Sequence, residues 1–100
     1  MGLEVGQVVY SKRGRDKGGA FLVVGLEGEY AYLADGGTRP LARAKKKKYK
    51  HIQPTNTRWH ELAVKVSQDT YIQDAELRKY LGSFLENRDG KGGSGCLRTT

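Results

Sequence analysis

The stretch from Val5 to Gly37 limits what this chain can fold into more than any other. Short runs rich in Val and Tyr are cut there by glycine turns, the sequence form of an antiparallel meander. A first strand is expected over Gly6–Lys12, ending in the loop Arg13-Gly14-Arg15-Asp16-Lys17-Gly18-Gly19. A second, Ala20–Leu26, turns at Glu27-Gly28, and a third, Glu29–Ala34, ends at Asp35-Gly36-Gly37. Alternation puts Val8 and Tyr10 on one side of the first strand and Val9 on the other. The second strand is apolar on both sides, Phe21 and Val23 against Leu22, Val24 and Leu26, which marks a central position.

Pro40 bars a central strand position. After it, Leu41–Ala44 reads as a short fourth strand and Tyr49–Gln53 as a fifth, stopped by Pro54. The expected fold is therefore mainly β, a small SH3-like antiparallel barrel that limits exposed sheet edges. Apolar residues make up 37% of the chain, below the usual level of about 45–50%. So small a core calls for something packed against it.

Two short helices are the candidates for that cover. Asn56 or Thr57 caps a helix from Arg58 to near Val66, with Trp59, Leu62, Ala63 and Val66 on one face. A second helix spans Asp74–Leu85, with an apolar stripe of Leu77, Leu81, Phe84 and Leu85. Gln73 and Glu76 have capping-box spacing, and Ile72 is placed to staple onto Leu77. Asn87–Thr100 is glycine-rich and aperiodic, and is expected to be a disordered tail. The organisation expected is a barrel over 1–54, a helical appendage over 55–86 and a tail over 87–100.

Charge is distributed unevenly. The chain carries +7. Residues 1–54 hold 11 basic and 5 acidic side chains, against 7 and 6 in residues 55–100. A basic half of this kind favours a polyanionic partner. Lys12, Arg13, Arg15 and Lys17 surround the first turn, and its glycines, Gly18 among them, let backbone N–H groups approach a phosphate. A solvated hairpin tip would use the same glycines for turn geometry alone. Arg39, Arg43, Lys45, Lys46, Lys47, Lys48 and Lys50 then place seven cations in twelve residues, a density that repels itself unless a polyanion neutralises it, with a solvated charge run or a localisation-like patch as the alternatives. If Lys45–Lys48 is extended, its side chains alternate direction, so only some can face one ligand.

Tyr10, Tyr30, Tyr32 and Tyr49 interleave with this charge. A barrel tyrosine ordinarily packs in the core, whereas one on the surface can stack an unpaired base. Tyr49, between Lys48 and Lys50, is the leading stacking candidate, and His51 either supports phosphate binding or completes a strand. The two histidines, His51 and His60, and Cys96 have no metal-ligand spacing. With no catalytic constellation to argue from either, no enzyme activity, metal or cofactor is expected. The single cysteine cannot form an internal disulfide, and there is no signal-peptide pattern or membrane-length apolar run. A cytoplasmic protein, monomeric when free, is the expectation.

The order Gly6-Gln7-Val8-Val9, then Gly14-Arg15-Asp16-Lys17-Gly18, then an apolar strand resembles the KOW motif. With Asp35-Gly36, Arg39, the lysine block and His51, residues 3–54 look like the single-KOW bacterial relatives of archaeal and eukaryotic-type large-subunit ribosomal proteins. The Ala75-Glu76-Leu77-Arg78-Lys79 segment is similar to the tail of those proteins. The resemblance implies an SH3-like barrel that binds ribosomal or other structured RNA, with the ribosome or ribosomal proteins as neighbours. This chain has Lys17-Gly18-Gly19 where many such motifs have Lys-Gly-Lys, and Gln7 where Asp is frequent. The alternative expectation is a protein-interaction module docking on a transcription or translation factor. Cations converging on one face favour RNA; an exposed apolar patch of several hundred Å² favours protein.

Overall fold

The computed structural model describes residues 2–90. The chain is mainly β. Its strands are β1 (Gln7–Ser11), β2 (Ala20–Glu27), β3 (Tyr30–Ala34), β4 (Lys45–Lys48) and β5 (Ile52–Arg58), followed by α1 (His60–Ser67) and α2 (Asp74–Gly90). All strand pairs are antiparallel, in one open sheet of order β4-β3-β2-β1-β5. The twice-apolar β2 is central, as its sequence requires.

This sheet cannot lie flat. β4 and β5 are its opposite edges, yet only the 3-10 turn Tyr49–His51 joins them. Four strand spacings would separate flat edges by about 19 Å, while the four Cα steps from Lys48 to Ile52 reach roughly 14 Å at full stretch. The sheet therefore curls. Its inner face carries Val9, Phe21, Val23, Ala31, Leu33 and Ile52, all buried and all from strands, with Leu3 and Tyr49 packed alongside. Among the described residues no helix residue packs on that face, so the curl itself removes it from water.

The helices cover the other face. Val8, Leu22 and Ala34 of the sheet meet Leu62 of α1 and Leu77 and Leu81 of α2. Val8 and Val9 are neighbours in β1 and both are 0% exposed, so β1 is buried on both sides. Trp59 sits at the N-cap of α1, donates its backbone N–H to Gly6 O at 2.7 Å, and stacks on Tyr80 of α2 at 4.6 Å. Lys65 and Glu76 link the two helices at 2.7 Å. The Glu76 carboxylate also accepts the Gln73 N–H at 3.3 Å, half of the expected capping box, and Ile72 packs beside Leu77. The Asp74 carboxylate accepts the Leu41 N–H at 2.7 Å, and Arg78 donates to Gly36 O at 2.7 Å. These bonds fasten α2 to the β3–β4 connection.

Several boundaries differ from the sequence expectation. Leu41–Arg43 is a 3-10 turn, and the fourth strand is the lysine run itself. Tyr49–His51 is likewise a turn, so the fifth strand starts at Ile52. Pro54 does not stop β5 but pairs with Val9 inside it. An edge strand has one backbone side free of ladder bonds, and proline is tolerated there. The sheet thus runs past residue 54 to Arg58, and α1 starts at His60, not Arg58. Leu85, expected in the apolar stripe of α2, is 40% exposed. α2 itself continues to Gly90, and the remainder of the expected tail lies outside the described residues. No helix among the described residues is long and apolar enough to cross a membrane.

Candidate nucleic-acid interface

The loop between β1 and β2 is braced at both ends. At its start, the Arg13 carbonyl accepts from Ser11 Oγ at 3.0 Å and from Lys47 Nζ at 2.9 Å. At its tip, Arg39 grips Asp16 with two bonds, Nε to Oδ1 at 3.3 Å and Nη2 to Oδ2 at 3.0 Å, and the Asp16 side chain is 9% exposed. Arg39 is itself set by Asp35, whose Oδ1 accepts the Arg39 N–H at 2.8 Å and the Gly37 N–H at 2.9 Å. Backbone bonds close the loop, Gly18 N–H to Ser11 O at 2.9 Å and Gly19 N–H to Asp16 O at 2.9 Å. Gly18 has φ +87°, where a Cβ would be strained.

Two of the expected ligand-binding residues therefore hold the loop together, and a third is drawn into the core. Lys47 crosses the ladder from Ala31, is 9% exposed, and spends its ammonium on the loop backbone. Arg39 is half-buried in its pair with Asp16. Tyr49, the expected stacking residue, packs against the inner cluster instead. The reason is local: the 3-10 turn between β4 and β5 carries its ring under the sheet.

Bracing leaves a set of cations exposed together. Lys12, Arg13, Arg15 and Lys17 lie on the loop and Lys50 on the adjoining turn; all are exposed and make no ion pair among the described residues. The Lys12 N–H donates to His51 O at 2.9 Å, tying loop to turn. The His51 imidazole is held below its ordinary value, first by desolvation and then by the positive charges of Arg13, Lys50, Lys47 and Lys48.

Other expected residues lie elsewhere. Arg43 is exposed in the turn before β4, and Lys45, the first residue of β4, is exposed opposite Leu33. Lys46 and Lys48 stand opposite Tyr32 and Tyr30 in the ladder, on the face of β4 away from Lys47. Lys46 Nζ lies 3.7 Å from Glu27 and 4.8 Å above the Tyr30 ring. Sequence reasoning missed the Asp16–Arg39 clamp and this tyrosine–lysine strip. Period-two alternation in both strands carries the signal for the strip once β3 and β4 are known to pair. Among the described residues no cluster of His, Cys, Asp and Glu could hold a metal ion. A shallow groove of about 320 Å³ runs along α2 between Thr57, Tyr80, Ser83, Phe84 and Asn87.

No protein-family model and no curated protein matches this chain.

Proposed function

We propose that this chain is a non-enzymatic RNA-binding module, a KOW-type SH3-like barrel that works as a monomer on ribosomal or other structured RNA in the cytoplasm. The curled five-strand sheet, with β4 turning directly into β5, supports the barrel reading. The observation that carries the function is the braced loop: Lys47 and Arg39 are used internally, and Lys12, Arg13, Arg15, Lys17 and Lys50 are left exposed without acidic partners among the described residues. Holding like charges this close is unfavourable until a polyanion meets them. Among the described residues the exposed large apolar side chains are Leu26, Val64, Tyr71 and Leu85. Phosphate contacts of this kind give affinity and orientation, and RNA shape supplies the selectivity.

A salt titration of binding to a structured RNA tests this reading. Five phosphate contacts give a log–log slope of roughly −3.5 to −4.5. The double variant Arg13→Ala/Arg15→Ala should flatten it by about 1.4–1.8, while Lys79→Ala, on α2, should leave it unchanged. Equal slopes for all three proteins, or binding indifferent to salt, would refute the proposal.

A further inference from the structure

The strip on the outer face of β3 and β4 is not used by the braced loop. Tyr30 and Tyr32 project there two residues apart, about 6.8 Å along the strand, with Lys48 and Lys46 directly across the ladder. Two ammonium groups converge on one ring: Lys46 Nζ lies 4.8 Å and Lys48 Nζ 6.0 Å from the Tyr30 centroid, and Lys46 is also 6.0 Å from that of Tyr32. One nearby carboxylate, Glu27, accepts from the Tyr32 hydroxyl at 2.5 Å and pairs with Lys46 at 3.7 Å. Lys48 has no acidic partner among the described residues. Tyr32 packs on Gly25, where a Cβ would stand 3.3 Å from Cδ2, so part of its role is to cover that glycine. Tyr30 has no such duty and is half-exposed.

We propose that this strip, centred on Tyr30 with Lys48 beside it, binds an unpaired nucleotide of the same RNA that the loop holds by its phosphates. The proposal rests on the RNA reading above and adds to it the class of RNA: a paired region with an adjoining single-stranded segment. The chemistry matches a nucleotide part by part. An aromatic face offers a stacking surface to any base, and a neighbouring uncompensated ammonium takes its phosphate. Glu27 turns phosphate away from Lys46 and so directs it to Lys48. The topology brings both halves to one RNA. Lys47 reaches the loop from one side of β4, and Lys46 and Lys48 serve the strip from the other, so a strand of RNA leaving the loop passes over the exposed edge of β4 to reach Tyr30.

The test compares two RNAs, a blunt duplex hairpin closed by a tight tetraloop and the same hairpin extended by a four-nucleotide single-stranded tail. Wild type should prefer the tailed RNA. Tyr30→Leu should weaken tailed-RNA binding by about 5- to 150-fold, leave the blunt hairpin within about twofold, and leave the salt slope unaltered, because stacking releases no counterions. Tyr30→Phe should restore tailed-RNA binding. Independently of any variant, 2-aminopurine placed in the tail should lose fluorescence on binding wild type, as it does when stacked. Equal losses on both RNAs, no preference of wild type for the tail, or unquenched 2-aminopurine would each overturn the strip while leaving the basic loop standing. Failure of wild type to bind either RNA would remove both.

Discussion

Replacing Lys47 by methionine separates the two roles a lysine can have in a basic site. The side chain is 9% exposed, and its ammonium donates to the Arg13 carbonyl at 2.9 Å. Methionine keeps the apolar stem over Ala31 and loses only the charged donor. A hydrogen bond from a charged group contributes about 1.5–3 kcal/mol. Here the carbonyl retains Ser11 Oγ at 3.0 Å, so no buried acceptor is orphaned and the low end applies. For a domain of this size about 1.5 kcal/mol corresponds to a fall in Tm of roughly 6–12 °C. Lys50→Met is the matched control: it removes an equal charge from an exposed position, so relief of general repulsion is common to both variants. Thermal melts followed by circular dichroism at one ionic strength give the comparison. If Lys47→Met melts within about 2 °C of Lys50→Met, Lys47 does not hold the loop, and the division between bracing and exposed cations fails with it.

Two further outcomes follow from local geometry and titration. Gly36 has φ +81° and a Cβ there would stand 2.2 Å from Asp74 O, while Gly18 has φ +87° and open space around it. Gly18→Ala should therefore lower stability by about 1 kcal/mol through strain alone, and Gly36→Ala by about 3 kcal/mol or more; chemical denaturation in the reverse order would contradict the packing of α2 on that turn. His51 binds its proton at lower pH folded than unfolded, so the unfolded state takes up more protons as pH falls through about 6.5 and stability drops there. Desolvation and, after it, the surrounding cations hold His51 low; a bound polyanion offsets the second cause, so RNA affinity should rise between about pH 7.5 and 5.5. His51→Gln should abolish most of that rise, and an unchanged pH profile would take His51 out of the interface.

The elements legible in the sequence are those set by local chemistry. β1, β2 and β3 come from valine and tyrosine alternation cut by glycine turns, and their observed limits lie within a residue or two of the expected ones. β4 was hidden because four lysines have little intrinsic preference for a strand. They adopt one because β3 offers a ladder from Tyr30 to Leu33, a contact absent from any local window. Pro54 misled for a related reason: its effect depends on whether the strand is central or at an edge, and that is a property of the finished sheet. In the candidate site the concentration of positive charge was readable. Its sorting was not, because Asp16 and Arg39 are 23 residues apart and Arg13 and Lys47 are 34 apart.

The pairing of β1 with β5 bears on how the chain is made. Gln7 lies beside Arg58 and Ser11 beside Ile52, so the first strand finds its second neighbour only near the end of the sheet-forming sequence. The β1–β2–β3 hairpins need only local turns and close in about 1–10 μs each. At roughly 5–20 residues per second, the 24 residues from Ala34 to Arg58 take about 1–5 s to synthesise. Throughout that interval β1 presents an unpaired backbone edge, with both of its faces apolar at Val8 and Val9. Sheet edges of this kind recruit other chains. A nascent chain is therefore most open to mispairing before β5 and the two helices exist, and slowing translation across the lysine run would lengthen that exposure.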